Sequence, residues 1–163
     1  MPRVVPDDVA AAKAAALRLL AVRARTAQEL ERRLVRRGFS PAVAAEVLAW
    51  CQSLGYVNDE LFAEDWIRNR TGSRPSGRRR IEHELREKGI HPELARRKLD
   101  ELLSDEDEQA RCLELARQQY ARLSRLPPEV RWRRLSGFLL RRGFSPEAVH
   151  RALAQVDSGY ESH

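Results

Sequence analysis

The apolar positions of this chain fall into one pattern written three times. Leu30 and Leu34 stand eight and four residues before Gly38, Ile81 and Leu85 hold the same places before Gly89, and Leu135 and Leu139 before Gly143. An apolar pair four residues apart marks the buried stripe of an amphipathic helix. A glycine directly after a basic residue marks its end, because glycine adopts the left-handed conformation other residues resist and the cation faces the last carbonyls. Each glycine leads into an apolar residue, a capping residue and a proline: Phe39-Ser40-Pro41, Ile90-His91-Pro92 and Phe144-Ser145-Pro146. Ser40, Ser145 and, less well, His91 are thus placed to cap a following helix whose first position is proline, a residue with no N–H to leave unbonded. The glycines lie 51 (89 − 38) and 54 (143 − 89) residues apart, a spacing that predicts internal repeats.

The remaining apolar runs complete the units. Asp7 or Asp8 is expected to cap a first helix reaching about Arg23, with Val9, Leu17, Leu20 and many alanines on its apolar side. Thr26-Ala27-Gln28-Glu29 reads as a capping box opening a second helix that ends at Arg37. Val43, Val47, Leu48 and Trp50 mark a third, stopping at Leu54-Gly55. The second unit starts at Asn58, an N-cap followed by Asp59 and Glu60, with Leu61, Phe62, Trp66 and Ile67 on its first helix. The Gly/Pro-bounded loop Gly72-Ser73-Arg74-Pro75-Ser76-Gly77 separates that helix from the next, and Leu94, Ala95, Leu99, Leu102 and Leu103 follow Pro92. In the third unit Ser104 caps an acidic first turn, Leu113, Leu115, Tyr120 and Leu123 mark a longer helix closed by Pro127-Pro128, and Val149, Leu153 and Val156 mark the last. The expected fold is all-α, three tandem three-helix repeats forming an elongated, curved array. The repeats are placed at residues 1–55, 56–103 and 104–156, and 157–163 is expected to be a disordered polar tail.

Composition agrees. The chain has 163 residues, 42% hydrophobic but only 6% aromatic, and is rich in Ala, Leu, Arg and Glu, which favours helix over sheet. Thirty Lys and Arg against 24 Asp and Glu leave a net charge of +6, mostly arginine, which suits a polyanionic partner. Cys51 and Cys112 have no CxxC or Cys/His spacing and read as buried reduced thiols of a cytoplasmic protein. There is no apolar run of about 18 residues and no secretory leader pattern. His83, His91, His150 and His163 lack any metal-ligand spacing, and neither a phosphate-cradling glycine loop nor a nucleophile elbow is present. The run Asp105 to Glu108 splays around one helical turn and reads as capping, not a metal site. No catalytic residue, metal or cofactor is expected, and no enzyme.

The chemistry lies in the arginines. Arg68, Arg70, Arg74, Arg78, Arg79 and Arg80 crowd one connection, and guanidinium forks take carboxylates and phosphates bidentately. Three arginines at a helix's positive end cost about a few tenths of a kcal/mol each, which favours an external anion over local partners such as Glu82 and Glu84. Arg32, Arg33, Arg36 and Arg37 form a second basic face, two of them complementing the helix end. Arg131, Arg133, Arg134, Arg141 and Arg142 repeat the pattern beside Trp132 and Phe138, which read as core. The candidate contact residues are therefore Arg68, Arg70, Arg74, Arg78, Arg79 and Arg80, with Arg32, Arg36, Arg133 and Arg134.

This ordered set resembles the RecX family, regulators of the RecA recombinase. Gly55-Tyr56-Val57-Asn58-Asp59-Glu60-Leu61-Phe62-Ala63 is similar to the family's Gly-Tyr-Leu-Asp-Asp stretch ending in Phe-Ala, with Asn58 in place of the usual aspartate. Gly77-Arg78-Arg79-Arg80-Ile81, then Glu84-Leu85 and Lys88-Gly89-Ile90, is similar to a second signature; Arg25-Thr26, Glu29-Leu30, Leu34 and Gly38-Phe39 extend the likeness over roughly residues 10 to 155. The resemblance implies tandem three-helix repeats and a monomer lying in the groove of the RecA filament. It also implies modulation, mainly inhibition, of recombinase, ATPase and coprotease activity, with weak binding of single- or double-stranded DNA. DNA repair, homologous recombination and the SOS response would be its setting. The alternative is a stand-alone DNA-binding protein built from helix-turn-helix-like units.

Overall fold

The computed structural model describes residues 3–72 and 74–160. All regular structure among them is helical: α1 (Val9–Val22), α2 (Ala27–Arg36), α3 (Pro41–Ser53), α4 (Asp59–Arg70), α5 (Arg78–Glu87), α6 (Pro92–Leu102), α7 (Asp105–Arg122), α8 (Pro128–Arg141) and α9 (Pro146–Tyr160). Consecutive threes form the units, α1–α3, α4–α6 and α7–α9, each with its own buried cluster. The stripe residues Leu30, Leu34, Ile81, Leu85, Leu135 and Leu139 are buried, all but fully excluded from solvent. The apolar residue after each stop glycine, Phe39, Ile90 or Phe144, closes the same core.

Local punctuation follows the sequence. Gly38, Gly89 and Gly143 sit at φ +104°, +86° and +94°, the left-handed region that ends a helix at little cost only for glycine. Ser40, Asn58 and Ser145 accept the N–H groups of Val43, Leu61 and Ala148, and His91 Nδ1 accepts that of Glu93. Both cysteines are free and buried. A compact chain of 18.7 kDa exposes about 8,300 Å², whereas this one exposes 10,410 Å², the excess expected of small units laid end to end.

Several expectations are corrected. The capping box at Thr26 is half formed: its hydroxyl accepts the Glu29 N–H, but the Glu29 carboxylate turns to Arg23 at 2.8 Å. Ser104 and Asp107 make the reciprocal box instead. Pro127 and Pro128 do not close α7, which ends at Arg122; they open α8, whose N-cap is Pro127. Trp132, read as core, is 39% exposed. The helix α9 continues through Asp157 to Tyr160, where a disordered tail is expected, and the rest of that tail, 161–163, lies outside the described residues.

Candidate anion-binding surface at the module junctions

The units are joined by one contact used twice, and it decides where the arginines point. Thr26 and Gly77 each stand twelve residues before the glycine of their own unit. The Thr26 hydroxyl donates to the Lys88 carbonyl at 2.5 Å, and the Gly77 N–H donates to the Arg142 carbonyl at 2.7 Å. Lys88 and Arg142 immediately precede Gly89 and Gly143, so the start of one unit's second helix sits on the end of the next unit's second helix. One residue on, the Ala27 N–H donates to Asp59 at 2.9 Å and the Arg78 N–H to Glu108 at 3.0 Å. Those carboxylates belong to the first helix of the following unit and satisfy a helix-start donor that its own unit leaves open. The fit is close: a Cβ on Gly77 would overlap the backbone of Gly143 and Phe144.

Each junction leaves a basic notch beside it. At the first, a cleft of about 320 Å³ is lined by Arg32, Arg33, Arg36 and Lys88 with Glu29 and Glu87. Glu29 is engaged by Arg23, and Arg32, Arg33 and Arg36 enter no ion pair among the described residues. Nearby Arg25 is buried and donates from Nε to the Leu19 carbonyl at 3.2 Å; burial first, then Arg23 and Arg33, holds its pKa below the ordinary value.

At the second junction Arg142 grips the loop before α5, donating from Nη2 to the carbonyls of Arg74 (2.6 Å) and Pro75 (2.9 Å) and from Nε to Pro75 (3.3 Å). Burial, and then repulsion from Arg80, Arg74 and Arg70, pushes its pKa down. The carboxylate at this place is Glu84, and it is already used by Arg70 Nε (2.9 Å), Arg80 Nε (3.2 Å) and the Trp66 indole N–H (2.8 Å). Arg70 also lies over the Trp66 ring, 4.7 Å from its centre.

The structure therefore sorts the ten candidate residues. Arg70, Arg74 and Arg80 come together, and Arg32 and Arg36 line the first notch. Arg79 is exposed and has no ion-pair partner among the described residues. Arg78 turns away, its guanidinium bound to Asp100 at 2.5 Å. Arg68, Arg133 and Arg134 are exposed and stand outside both groupings. Arg142, the hub of the second notch, is absent from the candidate set; the signal for it was its place before Gly143, which also suits a helix-end cation. Elsewhere charge is neutralised internally: Lys98, 7% exposed, is held by Glu64 (2.8 Å) and Glu101 (3.2 Å), and Arg97 pairs with Glu60. No group of three or more His, Cys, Asp or Glu among the described residues could hold a metal ion, and no described helix is long and apolar enough to cross a membrane.

The comparisons with known proteins agree with this architecture. Family models described as the first, second and third three-helix domains of RecX match residues 12–51, 58–99 and 105–153. The regulatory protein RecX of Chlorobium phaeobacteroides strain BS1 is 33% identical over 141 residues, covering 86% of this chain and 90% of that protein. The regulatory protein RecX of Thermobifida fusca strain YX is 37% identical over 151 residues, covering 92% and 81%. The crystal structure of RecX from Lactobacillus salivarius superposes with a TM-score of 0.83 at 25% identity, over 94% of this chain and 99% of that one.

Proposed function

From the premise that the chain belongs to the RecX family of regulatory proteins, we propose that it binds the RecA recombinase and its nucleoprotein filament and modulates, mainly inhibits, recombinase, ATPase and coprotease activity by occupying the filament groove. The observation that carries this reading is the serial arrangement of the two basic notches, one at each junction of an extended array. A groove that winds along a polymer presents the same chemistry at regular intervals, and a ligand with basic sites in series engages it through several weak contacts at once. On this reading the modules are 1–55, 56–103 and 104–156, the protein acts as a monomer in the cytoplasm, and it performs no chemistry of its own.

To test it, RecA filaments on single-stranded DNA are titrated with the protein while ATP hydrolysis and strand exchange are followed. Both should fall at micromolar protein; unchanged rates would overturn the proposal. The second reading, a stand-alone DNA binder, is favoured by the exposed guanidinium groups of Arg74 and Arg79, which enter no ion pair among the described residues. A variant with Arg74, Arg79 and Arg80 changed to glutamine separates the two: loss of DNA affinity with filament inhibition intact makes DNA contact incidental to regulation.

A further inference from the structure

The second junction holds more positive charge than its own residues neutralise, and the excess bears on the contact that joins the units. Arg70 and Arg80 both bind the Glu84 carboxylate, while Arg142 holds the Arg74 carbonyl through its Nη2 and feels the positive charge of Arg80, Arg74 and Arg70. All the hydrogen-bonding effort of that carboxylate is spent on Nε of Arg70, Nε of Arg80 and the Trp66 indole. Among the described residues the terminal nitrogens of Arg70 and Arg80, Nη1 of Arg142 and the whole Arg74 guanidinium make no hydrogen bond. The helix start nearby cannot serve an anion, because the N–H groups of Gly77, Arg78 and Arg79 are already given to Arg142, Glu108 and Gly143. Guanidinium forks are then the available donors, several of them neighbours with a net excess of positive charge, and such an arrangement suits the tetrahedral, negatively charged oxygens of a phosphate group.

We propose that Arg70, Arg74, Arg80 and Arg142 form a phosphate-binding site whose occupation braces the second junction, so that a bound phosphoryl group stiffens the array between its second and third units. The link is mechanical. Arg142 holds the Arg74 and Pro75 carbonyls with its side chain while its own carbonyl receives the Gly77 N–H, so one residue ties the loop to the end of α8 from both sides. Three neighbouring cations oppose the position of that side chain, and an anion among them removes the opposition. The proposal rests on the reading above only in taking the cluster to face a partner's anion; it holds for a free phosphate and for a nucleic-acid backbone alike.

Amide hydrogen exchange of the full-length protein tests it without any recombinase present. Exchange of the Gly77 and Arg79 amides, which donate across the junction, is compared in pyrophosphate, in a short single-stranded oligonucleotide and in chloride of equal ionic strength. Pyrophosphate should slow both amides threefold or more relative to chloride, leaving the Ala44 amide of the first unit unchanged. The Arg74→Gln and Arg80→Gln double variant, which keeps every backbone contact of the junction, should lose the slowing. Protection by the oligonucleotide at lower concentration than pyrophosphate identifies nucleic acid as the source of the phosphate; equal protection identifies a free phosphoryl compound. Equal exchange in pyrophosphate and chloride, or slowing that survives in the double variant, overturns the site. Because filaments are absent, failure here leaves filament inhibition to its own test, and failure there leaves this site standing.

Discussion

Two glycines show how differently the same residue can be required. Gly55 has φ +76° with open space around it, so alanine there meets only the left-handed penalty, about 1 kcal/mol. Gly77 has an ordinary φ of −77° and would be read as replaceable, yet its Cβ would overlap the Gly143 and Phe144 backbone. Thermal unfolding of Gly77→Ala should therefore show a larger loss than Gly55→Ala, and the opposite order would contradict the junction geometry. Cys112 makes a second prediction at this scale. Burial first, then Glu108, pushes its thiol up from 9.0 to about 12. The folded state thus holds its proton more tightly than the unfolded chain. Its contribution to stability is full below pH 9.0 and is lost as the pH rises toward about 12. Cys112→Ala should flatten that alkaline decline, measured as unfolding midpoint against pH.

At the scale of helices, each unit keeps its own core, so damage should stay local. Leu85 is fully buried, and Leu85→Ala should cost about 2 to 5 kcal/mol. Hydrogen exchange should accelerate across α4–α6 and much less across α1–α3; uniform acceleration would mean that the units unfold as one. The stripe, the stop glycine and the capping residue were all readable in the sequence because each acts within its own helix, at fixed distances of four, eight or two residues. The contacts between helices of different units were not readable. Asp59 and Glu108 looked like complements to their own helix dipoles, yet they cap Ala27 and Arg78 of the preceding unit. Arg142 looked like a helix-end cation, and Arg78 like an open contact residue, because nothing local distinguishes a side chain that reaches across a junction from one that faces solvent. Glu108→Ala should cost about 1 kcal/mol in chemical unfolding, the size of a lost cap, with the third unit's own core untouched.

Over the whole molecule the question is how the charge is spent along the array. Counting residues gives a net +6; Arg97 and Lys98 of α6 are paired with Glu60 and Glu64 of α4, whereas Arg32 and Arg36 at the first junction and Arg74 at the second enter no ion pair among the described residues. If both notches contact phosphate, each arginine removed should lessen the salt dependence of single-stranded DNA affinity by about 0.7 in the logarithmic slope. The pair Arg32→Gln and Arg36→Gln and the pair Arg74→Gln and Arg80→Gln should then each lower it by about 1.4. A slope that responds to the second pair alone would assign the first notch to protein carboxylates, and filament binding should then weaken in the first pair without any change in DNA affinity. Because the units touch through helix ends and not through a shared core, the two pairs should act independently, and a combined variant whose slope departs from the sum would show that the junctions are coupled.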